Sequence, residues 1–248
     1  MNTYRLYEVG GAVRDSLLGL KSKDIDYTVV VTPDDPSVDA VIAFNWFHAE
    51  IVRDGYEVFL CTPDVFTIRA RFPKTHIHAG LVADFVLARK ESGFVEGTRR
   101  PLNIELGTLE DDLRRRDFTV NAIARDIDGT IIDPFNGMSD LCNRILICPV
   151  DAETSFEDDP LRILRALRFS LTKEMNLGDN IKMAIKKFDV DRFIETVSIE
   201  RIREELHKMF SHSTINSLKI LFELEKWNFR LYEYIFEQLW LKPTTENK

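Results

Sequence analysis

The sequence predicts an α+β chain in two parts: a small mixed or antiparallel sheet with helices over residues 1–145, then an all-helical part over 146–248. Short β-branched runs recur through the first half, whereas apolar residues at helical spacing continue almost to the end of the second. A third observation organises the rest. Residues 10–26, GGAVRDSLLGLKSKDID, join a glycine pair that opens a helix to an acid-x-acid pair that begins a strand.

Residues 4–9 read as a strand feeding the glycine pair, and Val13, Leu17 and Leu18 give the next helix an apolar stripe that Gly19 ends. Residues 24–31 (DIDYTVVV) form a strand by their β-branched content, stopped at Thr32-Pro33, and 35–51 look helical. Three further strands follow at 56–61, 66–72 and 81–89. The polar, glycine-containing segment from 90 to 110 reads as a mobile loop of the kind that carries function. Thr108 suits a helix cap, and Asp128-Gly129 is a favoured hairpin turn between 123–126 and 130–132. Beyond residue 150, Leu161, Leu164 and Leu167, then Ile199, Ile202 and Leu206, then Leu218, Leu221 and Leu224 keep a helical period.

Composition sets limits. Of 248 residues, 30% are charged and 44% hydrophobic, which suits a folded globular protein. No apolar run approaches membrane-spanning length and no signal-peptide pattern opens the chain, so the expectation is a cytoplasmic protein without a membrane partner. Three widely spaced cysteines argue against a disulfide framework or a zinc site. The net charge of −8 argues against broad nonspecific nucleic-acid binding, although arginines cluster at 114–116 and at Arg162, Arg165 and Arg168.

The chemistry concentrates in a few places. Gly10 and Gly11 let backbone N–H groups at a helix start approach an anion, with Arg14 one turn on. Asp24 and Asp26, two apart on a strand, aim both carboxylates to one face, and hard oxygen ligands beside a phosphate cradle describe a magnesium–triphosphate site. Asp84, in the apolar run VADFVLAR, reads equally as a third ligand or as a buried structural acid. Arg116, next to Asp117, abuts the apolar run FTVNAIA and suits a positioned contact to phosphate or ribose.

In FEDDPLRILRALRF, Asp159 suits an N-cap with Pro160 at the first helical position. A second reading stands beside the first. Cytosine and adenine each show an exocyclic amine beside a ring-nitrogen acceptor, so a carboxylate that accepts and a guanidinium that donates fit C and A and clash with G and U. Asp159 and Arg162, three apart on one helix, carry that pair of groups.

Together these segments resemble the tRNA nucleotidyltransferase and bacterial poly(A) polymerase family, within the polymerase-β-like nucleotidyltransferases. GGAVRDSLLGLKSKDID is similar to the family's first motif and ADFVLARKE to its next strand. LEDDLRRRDFTVNAIA with IIDPFNGMSDL is similar to its ribose-binding region, FEDDPLRILRALRF to its nucleotide-reading helix, and SIERIREELHKMF to the start of its neck. The resemblance covers roughly residues 4–210. It implies a polymerase-β-like head followed by a helical neck and body. It also implies two Mg2+ ions, replaceable by Mn2+, on Asp24 and Asp26 with Asp84 beside them. Gly10, Gly11, Arg14, Arg116 and Asp117 would hold the triphosphate and ribose, Arg165 and Arg168 the nucleotide from the neck side, and Asp159 with Arg162 would serve as the protein template. The implied reaction is addition of C and A from CTP and ATP to an RNA 3′ end, that of tRNA first.

Two departures stand out. Asp158 occupies a position where the family usually has Glu, and the sequence ends about two helices past the neck motif, which gives the expectation of a short member. The length of the 90–110 segment favours an enzyme able to add A. The alternatives are poly(A)-type tailing of other RNAs and, in another class, an inactive homologue that binds RNA or a protein. Trp227, Phe229, Tyr232, Phe236 and Trp240 suit core packing first, and an interface with a second copy or another partner second.

Overall fold

Alternating apolar residues build the first sheet, and a computed structural model of the protein describes residues 2–22, 25–94 and 101–239 of it. The first strand, β1 (Thr3–Val9), leads into α1 (Gly11–Leu17) and then β2 (Ile25–Thr32). Next come α2 (Ala40–Arg53), β3 (Glu57–Thr62), β4 (Thr67–Arg71) and β5 (Val82–Leu87). Asp39 caps α2 by accepting the Ile42 N–H at 2.8 Å. Among the described residues one seven-stranded sheet has the order β3-β4-β5-β2-β1 and then the short β8 (Ala124–Arg125) and β9 (Ile131–Ile132). Only β2 and β5 pair in parallel, so the sheet is mixed, and the α+β expectation holds. The β8–β9 hairpin turns through Asp128-Gly129 as expected, with Gly129 at φ +88°.

The two faces of this sheet differ. Phe44, Phe47 and Ile51 of α2 lie on Tyr27, Val29, Ile68, Phe72, Phe85 and Leu87, all buried. Burying a Phe of this kind is worth about 2–3 kcal/mol. The opposite face carries Asp26, Thr28 and Asp84 at the alternate positions, beside a smaller cluster of Tyr7, Val9, Leu113, Ala122 and Ala124. Polar groups on this second face, backed by a fully packed first face, are what position the site.

The 90–110 segment differs from the expected loop. Its described parts form a ribbon, β6 (Arg89–Phe94) paired antiparallel with β7 (Pro101–Leu106). It is followed by α3 (Leu109–Arg114), which Thr108 caps in a reciprocal capping box with Asp111. The helix α4 (Gly137–Cys142) starts where the Asp133 carboxylate accepts the N–H groups of Gly137 at 2.7 Å and Met138 at 2.8 Å.

The described residues divide into two compact units, one up to Asn143 and one from Arg144. The second holds a short parallel pair, β10 (Ile145–Leu146) and β11 (Asn176–Leu177), and seven helices. These are α5 (Ala152–Asp158), α6 (Arg162–Thr172), α7 (Asp179–Lys187), α8 (Val190–Thr196), α9 (Ile199–His212), α10 (Thr214–Trp227) and α11 (Phe229–Glu237). Leu164, Leu167, Ile202, Leu206, Leu221 and Leu224 are buried as their period requires, but Ile199, first in its helix, is 40% exposed. The aromatic C-terminus departs from the core role. Leu231 and Ile235 fill the buried positions of α11, leaving Phe229 55% and Phe236 37% exposed, while residue 240 lies outside the described residues. No helix among the described residues is long and apolar enough to cross a membrane.

Gly137 is the tightest approach in the first unit. A Cβ there would stand 2.1 Å from the Thr119 carbonyl oxygen. Gly137→Ala is expected to cost about 2–3 kcal/mol or more by overpacking, read as a lower urea midpoint at unchanged slope.

Candidate active site

Gly10 ends β1 with φ +74° and ψ −137°, a conformation that suits glycine, and its carbonyl accepts the Arg14 N–H at 3.1 Å. The space a Cβ would take lies 3.1 Å from Arg116 Nη1 and 3.7 Å from Asp26 Oδ2. The missing side chain therefore admits a guanidinium and a carboxylate to the same spot. Asp26 and Asp84 are register partners on the parallel strands β2 and β5, so their side chains leave the same face of the sheet. Asp24 lies outside the described residues.

Arg116 is held from below. Its Nη2 donates to Asp112 Oδ2 at 2.9 Å and to Thr28 Oγ1 at 3.2 Å. Arg115 donates to the other oxygen of Asp112, and the Thr28 hydroxyl donates to Oδ2 at 2.6 Å. Asp112 has no exposed surface. Burial by itself would raise its pKa, but the Arg116 and Arg115 guanidiniums and the donated hydrogen bonds outweigh that and hold the carboxyl well below the usual carboxylate range. The Arg116 Nε is a buried donor with no hydrogen-bond partner among the described residues.

Arg14 is itself almost buried, at 5% exposure. It donates to Asp15 Oδ1 from Nε at 2.8 Å and to Asn121 Oδ1 from Nη1 at 2.5 Å, and its Nη2 lies 3.5 Å from the Cβ position of Gly11. Asn121 in turn donates to Asp117 Oδ1 at 2.9 Å, which also accepts the Phe118 N–H at 2.8 Å. Arg14, Asn121 and Asp117 thus form one buried chain beside the glycine pair. Asp84 is engaged on its other side by Arg69, whose Nε and Nη2 donate to its two oxygens at 2.8 Å each.

The second unit gathers the remaining residues at the α5–α6 junction. Asp159 closes α5 as its C-cap, whereas α6 starts at Arg162 with Leu161 at its N-cap, so the helix begins later than Pro160 suggested. Asp159 Oδ1 still accepts the Leu161 N–H at 3.3 Å, and Arg201 of α9 donates to Oδ2 at 3.1 Å. Arg162 Nη1 donates to the Ser155 hydroxyl at 2.7 Å and to the Ser155 carbonyl at 3.3 Å. Arg168 pairs with Glu205 at 2.5 Å and lies 4.4 Å from the Phe169 ring centroid, with Arg165 at 5.7 Å.

Several of these partners escaped the sequence reading. Asp112, on α3, stands three and four residues before Arg115, the helix's C-cap, and Arg116 just beyond it, a spacing that signals pairing. Thr28, Asn121, Arg69 and Arg201 gave no local signal, because each acts across strands or helices distant in sequence.

Residues 6–147 match the family model of the Poly A polymerase head domain. A CCA-adding enzyme of Lactobacillus helveticus is 35% identical over 83% of this chain and 46% of its own length. One from Leuconostoc citreum is 32% identical over 99% of the chain and 55% of its own length. Among solved structures, the Bacillus stearothermophilus CCA-adding enzyme in complex with CTP superposes with a TM-score of 0.68 at 29% identity, covering 88% of this chain and 47% of that one. A tRNA nucleotidyltransferase complexed with a primer tRNA and an incoming ATP analog gives 0.62 at 29% identity, covering 96% and 61%. The chain spans about half the length of the curated relatives it matches.

Asp112→Asn is expected to destabilise the first unit by about 3–5 kcal/mol, since it leaves two guanidiniums facing a partner without charge. The folded pKa of Asp112 lies below its unfolded value of 3.8, so its contribution is present above about pH 4 and is lost as pH falls further. The gap between the thermal melts of the two proteins should therefore be constant above about pH 4 and shrink progressively as pH falls below it.

Proposed function

The chain belongs to the tRNA nucleotidyltransferase and poly(A) polymerase family, and from that membership we propose that it adds C and A, without a nucleic-acid template, to the 3′ end of tRNA. The observation that carries the reading is the meeting of Asp26, Arg116 and side-chain-less Gly10, with Asp84 in register beside Asp26. One solved relative is in complex with CTP and another with a primer tRNA and an incoming ATP analog, which supports these substrates for the present chain.

The donors present suit a hard divalent cation, because Asp26 and Asp84 offer carboxylate oxygens from one face of adjacent strands. Among the described residues no three acid, histidine or cysteine side chains form a ready-made cage, and Asp24 lies outside them. Asp24 and Asp26, with Asp84 as the third acid, would hold two Mg2+ ions, or Mn2+ in their place. When bound, the ions would acidify the attacking 3′-hydroxyl and neutralise charge on the leaving oxygens.

The chain's own residues do the rest. Gly10 and Gly11 leave room for the triphosphate, and Arg116, held by Asp112 and Thr28, places positive charge beside it. Arg14, locked to Asp15 and Asn121, fixes the helix that the glycine pair opens, and Asp117 anchors Asn121 near the ribose. The RNA 3′-oxygen attacks the α-phosphorus in line, the new P–O bond forms, the bond to the pyrophosphate oxygen breaks, and the hydroxyl proton passes to water. In the second unit, Asp159 accepts the exocyclic amine of C or A and Arg162 donates to the neighbouring ring nitrogen, exchanging its Ser155 contact for the base. Arg165 and Arg168 carry charge toward the nucleotide from the same helix.

Incubating the protein with CTP, ATP and tRNA ending at the discriminator base, then sequencing the 3′ ends, should give CCA followed by a stop. An open run of A would instead assign poly(A)-type tailing. Asp26→Ala should lower incorporation at least about a hundredfold, the several kcal/mol expected of a metal ligand. RNA binding should survive, and undiminished incorporation would point to an inactive homologue copurifying with another enzyme. Arg162→Ala should relax discrimination against UTP and GTP by about ten- to a hundredfold in competition assays.

A further inference from the structure

Beside Asp84 on the face it shares with Asp26 stands a charged group that the reaction above leaves unused. Arg69 of β4 is the register partner of Asp84, and its planar fork takes both carboxylate oxygens at 2.8 Å. This is the strongest geometry such a pair adopts. The strands are already joined by their backbones, and the side chains are 51% and 28% exposed, so the pair adds little to stability. Its consequence lies in charge. Asp84 stands between Asp26 on β2 and Arg69 on β4, each about 4.8 Å away across the sheet. A divalent cation arriving at the Asp26–Asp84 pair meets a carboxylate whose two oxygens already serve a guanidinium.

We propose that Arg69 is the exchangeable counter-cation of Asp84. The guanidinium neutralises and aims the carboxylate while no metal is bound, and it withdraws toward solvent when a divalent cation takes the oxygens. Arg69 is thereby a positioning residue that sets the metal concentration at which Asp84 is engaged, and it relieves repulsion between Asp26 and Asp84 before metal arrives. The inference rests on reading Asp26 as a metal ligand.

Titrating the full chain with Mn2+ alone, and following free Mn2+ by electron paramagnetic resonance, tests it without turnover. Arg69→Ala should bind Mn2+ roughly two- to fivefold tighter, the ratio that corresponds to the worth of a part-exposed ion pair. Arg69→Gln, which keeps most of the stem, should do the same. Arg71→Ala removes an equal charge from the same strand and face, where Arg71 pairs with Glu57 at 2.6 Å, and should leave affinity unchanged. Adding Asp84→Asn to Arg69→Ala should erase the gain. Unchanged affinity in both Arg69 variants, or an equal gain in Arg71→Ala, overturns the proposal. Wild-type Mn2+ binding in Asp26→Ala overturns the metal reading and this inference with it. Loss in Asp26→Ala without any gain in the Arg69 variants overturns this inference alone.

Discussion

A carboxylate with no exposed surface, Asp112, ties the helix α3 to the strand that carries Asp26. Removing such a group from water costs several kcal/mol, and the cost is offset only if its lone pairs are filled by donors of opposite charge. Arg115, Arg116 and the Thr28 hydroxyl fill them. The arrangement works in both directions. Asp112 stays ionised because the guanidiniums surround it, and Arg116 Nη1 stands 3.1 Å from the space a Cβ of Gly10 would take because Asp112 and Thr28 hold its Nη2. Thr28 lies two residues beyond Asp26 and therefore on the same face, so the positions of guanidinium and carboxylate are set by one network. Arg115 extends that network to the ribbon, since its Nη1 lies 3.6 Å from Glu91 of β6.

Where local signals are strong, the fold is legible in the sequence. The strand β2 announces itself by its β-branched content, β5 by its short apolar run, and the β8–β9 turn by its Asp-Gly pair. The β6–β7 ribbon is not legible as a pair, because β6 (RKESGF) shows no apolar alternation, although Ile104 and Leu106 of β7 pack against the core cluster under α2. The start of α6 is shifted for a related reason. Asp159 has a competing partner in Arg201, so its carboxylate is shared between a backbone N–H and a side chain from α9. In α11 the abundance of aromatic residues misleads, since the two core positions four apart belong to Leu231 and Ile235.

The candidate site divides in the same way. Glycine pairs, acid pairs and arginine runs carry their chemistry in the sequence itself, which is why Gly10, Asp26 and Arg116 can be singled out before any fold is known. Their supports become visible only with register. Arg69 meets Asp84 because β4 and β5 pair as they do, and a shift of one residue would turn it to the opposite face. Asn121 meets Arg14 through a short turn of backbone that carries no periodic pattern.

The parallel pairing of β2 with β5 has a kinetic meaning. Parallel neighbours cannot be joined by a tight turn, and here α2, β3 and β4 all intervene between the two strands. Asp26, Asp84, Arg115 and Arg116 therefore come together only through contacts of high sequence separation, which slow folding. A nascent chain emerging from the ribosome carries each acidic or basic group long before it carries their arrangement. The divalent-ion and nucleotide binding proposed above would thus require the completed sheet.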